Sequence, residues 1–370
     1  MKRIINRVKI GAIKTVIFIS KKFNLVRKNL FHTSPLKFLI ISTTGIGDTL
    51  WGTPAIRALK ETYQGCYIGV LTNPIGFELL KENPNIDELF IFRRGLRGIS
   101  SLTTLLKALR QKKFEVAFVF HASDRIIWPL AFFTGASKII GVNGKCKGLD
   151  FILTNPVMLP ENLHGVEARL ALVKQIGAVA KQKAIEMFLT KKDREWAKQL
   201  IKDKGIIEGS LIVGLHPGAQ KPYKCWPADN FINLGNEMVK RFKCTVLLTG
   251  NGNEAELADK VASKIDSAIS LAGKLTIRET AAIIEKMNIF ITNDTGPMHI
   301  AFALETPTIA LFSPTDPDLC GPYKALGKFK VIAKSMVCNP CIGKNCDNPK
   351  CMEQITIKEA IAEVEHILKD

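Results

Sequence analysis

The chain has 370 residues, 46% of them apolar, which is enough for two domains with separate cores. Its formal charge is +18, and ten of its 52 Lys or Arg fall within residues 1–47, ahead of the first acid, Asp48. No nucleic-acid module accompanies that charge, which suits an anionic membrane surface or substrate instead; nine cysteines, four crowded near the C-terminus, do not make a secreted disulfide scaffold.

Residues 3–29 read as a helix. Arg7, Lys14, Lys21 and Lys28 recur every seven residues on one face, and Ile5, Ala12, Ile19 and Val26 on another. Lysines interrupt its apolar runs, so it is too short to span a bilayer, and it lacks a signal-peptide cleavage pattern. Lying in the interface of an anionic leaflet fits the pattern; a helix docked on the protein body is the alternative.

Next comes a buried-strand run, Lys37-Phe-Leu-Ile-Ile-Ser42, then the turn Thr43-Thr-Gly-Ile-Gly-Asp48 and a helix over 49–62. The two glycines let backbone approach a ligand closely, and Asp48 stands at the helix entrance, where its plain role is an N-cap. Strands at 67–71, 88–92, 115–121 and 138–142 alternate with helices at 76–82, 102–111 and 167–176. Polar residues 177–192 read as a linker.

A second alternation follows. Strand 211–216 leads into a Gly/Pro loop over 217–227, then helix 228–242. Strand 244–249 leads into loop 250–254 and helix 254–264. Helix 276–286 precedes strand 288–292, which breaks at Asn293-Asp294-Thr295-Gly296 and resumes as a helix through Leu304. Asp294 or Thr295 is placed to cap that helix, with Pro297 in its first turn. Strand 308–312 closes the series, and 358–368 is a terminal helix. Alternating strands and helices predict parallel, doubly wound sheets, here two Rossmann-like domains facing a cleft, with ligands at the carboxyl ends of the strands. The expected division is a basic amphipathic leader helix 1–34, a first domain 35–182, a second domain 183–355 and a C-terminal helix 356–370.

Three turns in the second half carry ligand chemistry. The loop from His216 to Pro227 offers the Gly218 and Ala219 N–H groups together with Lys221 and Lys224, suited to a diphosphate. Residues 250–254 put the Glu254 carboxylate where a ribose hydroxyl is bound in dinucleotide sites. The third, Asp294 to His299, presents free N–H groups at a helix N-terminus. Three such turns in order point to a nucleotide diphosphate.

The set Gly45-Ile-Gly-Asp48-Thr-Leu-Trp-Gly-Thr-Pro54-Ala, His216-Pro-Gly-Ala219, Lys224-Cys-Trp-Pro227, Asn293-Asp-Thr-Gly-Pro-Met-His299 and Ser313-Pro-Thr-Asp-Pro317 resembles glycosyltransferase family 9, over roughly residues 36–368. The best-known members are the ADP-heptose:lipopolysaccharide heptosyltransferases. The resemblance implies a GT-B fold, with acceptor held by the first half and nucleotide sugar by the second. It implies an inverting transfer that needs no catalytic metal, from an ADP-sugar to a lipid-linked saccharide, at the inner face of a bacterial membrane. Residue by residue, Asp48 matches the general base and Lys224 the lysine that balances charge on the departing diphosphate. Asp294, Thr295, Gly296 and His299 match the segment that holds phosphates and sugar, and Glu254 an acid near the nucleoside. Leu275 falls where an apolar side chain packs on adenine, a Leu where some members have Met. Gly218-Ala219 replaces the Thr-Thr of some members and lacks their hydroxyls. The bland alternatives are helix capping for Asp48 and a core histidine for His299.

Cys338, Cys341, Cys346 and Cys351 form the remaining cluster, open to a structural zinc, two disulfides or free thiols. Two other functions fit the pattern: a sugar-nucleotide epimerase of the same fold, and a non-catalytic membrane-surface module that binds a nucleotide. Arg93, Arg94, Arg97 and Arg125 are candidates to face acceptor phosphates or carboxylates.

Overall fold

The structure is a computed structural model that describes residues 2–22, 35–93, 99–323, 327–338, 346 and 350–369. The chain divides into two compact units, Met1–Lys183 and Ala184–Asp370, each built on one six-stranded parallel sheet.

In the first unit the strands are β1 (Lys37–Ser42), β2 (Tyr67–Thr72), β3 (Glu88–Ile91), β4 (Val116–His121), β5 (Lys138–Val142) and β6 (Asn155–Val157). Their order is β3-β2-β1-β4-β5-β6. From Phe38 to Ser42 every β1 residue is buried, as expected of a strand covered on both faces, and this is why the run shows no alternation. At Gly69 of β2 a Cβ would lie 2.6 Å from the Phe114 ring, so only glycine lets that ring close the core.

The second unit repeats the plan with β7 (Ile212–His216), β8 (Thr245–Leu248), β9 (Ala268–Ser270), β10 (Ile289–Asn293), β11 (Thr308–Phe312) and β12 (Phe329–Ala333). The order is β12-β11-β10-β7-β8-β9. In each unit the fourth strand therefore lies beside the first, and the sheet reverses its winding between them. Loops part above that point, which is where ligands enter such folds. In the first unit the β1–β4 register shifts between Ile41 and Ser42, so that Ser42 pairs with His121. In the second, Thr292 pairs with His216 in regular register.

Several elements differ from expectation. The short strands β6 and β9, strand β12, and the helices Ile127–Phe133 and Lys191–Asp203 all lie outside the expected series. Within the supposed linker, Met187 and Leu189 are buried, Met187 N–H donates to the Ala303 carbonyl, and a Thr190–Asp193 capping box starts a helix. The end of that segment is thus part of the second unit's packing. The helix Ile357–Lys369 buries Ala360, Ile361 and Val364 in the core of the same unit.

The N-terminal helix runs over Lys2–Lys22; the expected continuation to 29 lies outside the described residues. It docks on the first unit: Ile17 is buried in the sheet core, Ile10 and Ile13 pack against that core, and the Lys14 ammonium sits 5.4 Å from the Phe151 ring centre. Val16, Phe18 and Ile19 remain exposed.

Candidate functional site

In the first unit, chemistry gathers where β1 and β4 part. Asp48 lies inside the short helix Ile46–Leu50, whose N-cap is Gly45 with no side-chain cap bond. The capping role for Asp48 is therefore not what the structure contains. Its Oδ1 instead accepts from Nη2 of Arg169 at 2.7 Å, and its Oδ2 lies 3.7 Å from Nδ1 of His121.

Arg169 comes from the helix Gly165–Lys174 and is buried. Its Nη1 donates to the Gly165 carbonyl at 3.0 Å, and its guanidinium lies 5.3 Å from the Trp51 ring centre. A Cβ on Gly165 would come within 2.3 Å of the Trp51 ring, so that glycine lets helix, indole and guanidinium stack. Burial lowers the Arg169 group from its ordinary value while Asp48 acts the other way, and the guanidinium stays cationic. His121, at the end of β4, has its ring half-exposed, with Nδ1 2.9 Å from the Thr44 hydroxyl. Burial lowers its pKa, with Arg169, Lys147 and Lys145 adding to the effect and Asp48 opposing it.

Beside these groups lies a cavity of about 780 Å³, walled by Thr44, His121, Trp128, Lys145, Lys147 and Arg169 among others. Of the arginines singled out from sequence, Arg94 and Arg97 lie outside the described residues; the cations on the cavity wall are Lys145, Lys147 and Arg169.

In the second unit the corresponding place is where β7 and β10 part. Asn293, at the end of β10, ties the loop after β7 in place. Its Oδ1 accepts from the Trp226 N–H at 3.0 Å, and its Nδ2 donates to the carbonyls of Pro217 and Gly218. The Trp226 ring is buried, and its Nε1 donates to the Ile355 carbonyl at 2.9 Å. The loop so fixed carries Lys224, whose ammonium pairs with the Asp294 carboxylate. Thr295 is the N-cap residue of the helix Gly296–Ala303, but neither its hydroxyl nor Asp294 caps it; Pro297 takes the expected place in the first turn. His299 is buried on that helix with its ring edge-on to Phe302.

Glu254 lies under the same loop. A Cβ on Gly218 would sit 2.6 Å from the Glu254 carboxyl carbon, so glycine is required for that approach. The carboxylate accepts from Asn251 N–H at 2.8 Å and lies 3.8 Å from Nε2 of the buried His216. Leu275 is half-buried in the turn after β9, which hydrogen-bonds to the Glu254 loop through Gly273 N–H and the Gly250 carbonyl at 2.9 Å. Lys224 and Asp294 are thus brought together, as are Gly218 and Glu254. Leu275 is set apart from Asp294 by the strands β7 and β8. Ala219 follows Gly218 in the same loop, half-buried.

Of the C-terminal cysteines, Cys341 lies outside the described residues; Cys338 is an exposed and Cys351 a half-buried free thiol, and Cys346 is half-buried. Among the described residues no group of three or more His, Cys, Asp or Glu gathers in metal-holding geometry.

Two linked Rossmann-like units, each on a six-stranded parallel sheet with a charged pair at its switch point, have the architecture of a GT-B glycosyltransferase. The family model for glycosyltransferase family 9 (heptosyltransferase) matches residues 102–352, and the chain belongs to that family. Lipooligosaccharide heptosyltransferase 2 of Campylobacter jejuni is 25% identical over 348 residues, covering 90% of this chain and 99% of that protein. A solved family 9 glycosyltransferase of Veillonella parvula superposes with a TM-score of 0.80 at 21% identity, covering 93% of this chain and all of that one. The E. coli ADP-heptose lipopolysaccharide heptosyltransferase II gives 0.76 at 20% identity, over 90% and 99% of the two chains.

Proposed function

We propose that this protein transfers a heptose from an ADP-sugar to a lipopolysaccharide core or similar lipid-linked saccharide, with inversion at the anomeric carbon. The observation that carries this reading is the Asp48–Arg169 pair, which presents a fixed carboxylate at the carboxyl edge of the first unit's sheet. The donor assignment is supported by the E. coli relative, an ADP-heptose enzyme, and the acceptor class by the Campylobacter relative.

In this mechanism an acceptor hydroxyl in the first unit attacks the anomeric carbon as the bond to the diphosphate breaks. Asp48 is the base for the hydroxyl proton. Lys224, as a point charge, offsets the charge that builds on the leaving diphosphate. Asp294 holds Lys224 in position and suits sugar hydroxyls better than phosphate, since two anions repel. The Glu254 and Leu275 turns take the nucleoside, and Gly218, Ala219, Thr295, Gly296 and His299 line the phosphate and sugar side. Lys145 and Lys147 favour an acceptor that bears negative charge.

The helix Lys2–Lys22 carries seven Lys or Arg and no acid, and its exposed Val16, Phe18 and Ile19 add apolar contact. It is suited to an anionic membrane surface at the cytoplasmic face of the inner membrane. No helix among the described residues is long and apolar enough to cross a membrane.

The test is direct. ADP-heptose is mixed with lipooligosaccharide from Campylobacter lacking its heptosyltransferase 2, and the product is read by mass spectrometry and by the anomeric NMR coupling. One added heptose with inverted configuration is expected. Hydrolysis or epimerisation of the sugar nucleotide with no acceptor requirement would overturn the reading.

A further inference from the structure

The turn at 143–150, after β5, joins the first unit's cavity to the N-terminal helix. It carries Lys145 and Lys147, both on the cavity wall. The Lys147 ammonium donates to the Ser123 carbonyl at 2.8 Å, and the Ser123 N–H and hydroxyl each donate to the Thr43 hydroxyl at 3.0 Å. Thr43 opens the turn that leads to Asp48. The same segment meets the helix Lys2–Lys22. A Cβ on Gly148 would stand 3.1 Å from Cδ1 of Ile10, so the Ile10 side chain rests on the backbone of the turn. Cys146 and Leu149 are fully buried and share a core with Ile17, against which Ile10 and Ile13 pack.

This turn needs outside support. Gly144, Lys147 and Gly148 have φ of 76°, 55° and 83°, and for Lys147 the left-handed region is unfavourable. Such a conformation persists where its surroundings impose it. The Gly144 N–H donates to Asp150 Oδ1 at 2.6 Å and the Leu149 N–H to the Cys146 carbonyl at 3.1 Å, but both bonds lie within the turn. The apolar packing on Gly148 comes from Ile10, far earlier in the chain.

We propose that the N-terminal helix is a positioning element for the acceptor: Ile10, seated on Gly148, holds the turn that presents Lys145 and Lys147 to an anionic group of the acceptor saccharide. This inference rests on the transferase reading above. The helix then serves the cavity and the membrane through different residues. Ile10, Ile13 and Ile17 pack on the protein body, whereas Val16, Phe18 and Ile19 are exposed. An ammonium that pairs with a carboxylate or phosphate of the acceptor helps the attack only if it is fixed relative to Asp48, because it then places the attacking hydroxyl as well.

The test separates positioning from anchoring by leaving the membrane out. Lipid-free oligosaccharide is prepared from the heptosyltransferase 2-deficient lipooligosaccharide, and transfer to it from ADP-heptose is measured without vesicles. Ile10→Ala is expected to raise KM for this acceptor about tenfold, as for one weakened charge-assisted bond, with kcat and ADP affinity at wild-type values. Ile10→Val should restore most of the wild-type KM. In a background carrying Lys145→Ala and Lys147→Ala, Ile10→Ala should add nothing further, because its effect runs through those two cations. An unchanged KM in Ile10→Ala, or the same rise in that background, would overturn the proposal and leave the helix an anchor alone. A second readout needs no substrate. Amide hydrogen exchange of the full-length protein should show Gly144 and Leu149 exchanging about tenfold or more faster in Ile10→Ala, with the amides of β1 and β4 unmoved. Unmoved exchange in the turn, or faster exchange throughout the sheet, would count against Ile10 as its support. If the wild-type protein transfers no heptose, the transferase reading falls, and the exchange measurement still decides whether Ile10 holds the turn.

Discussion

The two units share one topology and hold opposite kinds of chemistry at the same place in it. In each, the first and fourth strands lie side by side, and a carboxylate paired with a cation stands near their carboxyl ends. In the first unit the cation, Arg169, is buried and sits on an aromatic ring, while the carboxylate and a histidine face outward. In the second the order is reversed: Asp294 is buried and Lys224 is the more exposed partner, on a loop anchored by Asn293 and Trp226. The fold fixes where such a pair forms; on the proposed mechanism, which partner is buried separates a proton site from a phosphate site.

The strongest way to break that contrast is Asp48→Asn. It should lower kcat by about a hundredfold to ten-thousandfold with ADP affinity unchanged, measured with donor and acceptor saturating. Asp48 does not cap its helix, but Asn is a weaker partner for the buried Arg169, so Tm is measured alongside kcat and its fall is separated from the loss of turnover. If turnover stays near normal, the first unit's switch point is structural and the contrast fails.

Lys224→Ala probes the other unit. ADP affinity should fall about tenfold to a hundredfold, the range for a lost charge-assisted hydrogen bond, and turnover should fall with it. Calorimetry with ADP decides the matter. Unchanged affinity with a lowered Tm would make Lys224 a loop support only.

Asp193 sharpens the comparison from the side of stability, since it belongs to the second unit alone. Burial by itself would raise its pKa, but the bonds from Arg278 and Thr190 outweigh burial and hold the carboxyl at about 2. That corresponds to about 2 kcal/mol, fully present above pH ~4 and lost as pH falls from there toward ~2. Asp193→Asn should remove this acid sensitivity and take from the buried Arg278 its carboxylate partner, leaving the Phe188 carbonyl. It should lower the stability of the second unit by about 3 kcal/mol in denaturant titrations, while the titration of His121 is unmoved. A shift of His121 in this variant would show that the two units are not separable in this way.

The smallest effect concerns the N-terminal helix. Deleting it would uncover the core around Ile10, Ile13 and Ile17, so substitution at exposed positions is cleaner. Val16→Ser with Phe18→Ser and Ile19→Ser should leave Tm nearly unchanged and weaken sedimentation with anionic vesicles severalfold, more so at high salt. Unchanged vesicle binding would mean that this face is not a lipid contact.

Most of the fold was legible because buried parallel strands read as continuous apolar runs, as β1 and β10 do. Three of the four edge strands, β6, β9 and β12, escaped for the opposite reason, whereas the edge strand β3 was read at 88–92. The three-residue strands β6 and β9 are too short to show a period, and β12 alternates burial weakly at the sheet's edge. The helix Ile127–Phe133 is apolar nearly all round and contains Pro129, so it has no amphipathic stripe to detect.

In the site, Asp48, Lys224 and Asp294 stand in recognisable turns, but their partners do not announce themselves. Arg169 is 121 positions from Asp48, and within its helix it reads no differently from the charged Glu167 and Lys174. His121 reads as the last residue of a strand, and a register shift between Ile41 and Ser42 sets it opposite Ser42. Such pairings arise from tertiary packing and leave no local spacing to read.

The indole of Trp226, buried two residues beyond Lys224, has a spectroscopic consequence. The chain holds four tryptophans, and three of them border the two switch points: Trp51 against Arg169, Trp128 on the cavity wall, and Trp226 beside the lysine loop. With Trp51, Trp128 and Trp196 changed to phenylalanine, the emission of Trp226 becomes an optical reporter confined to the second unit. Its quenching by added ADP can then be followed in real time, in the absence of any acceptor.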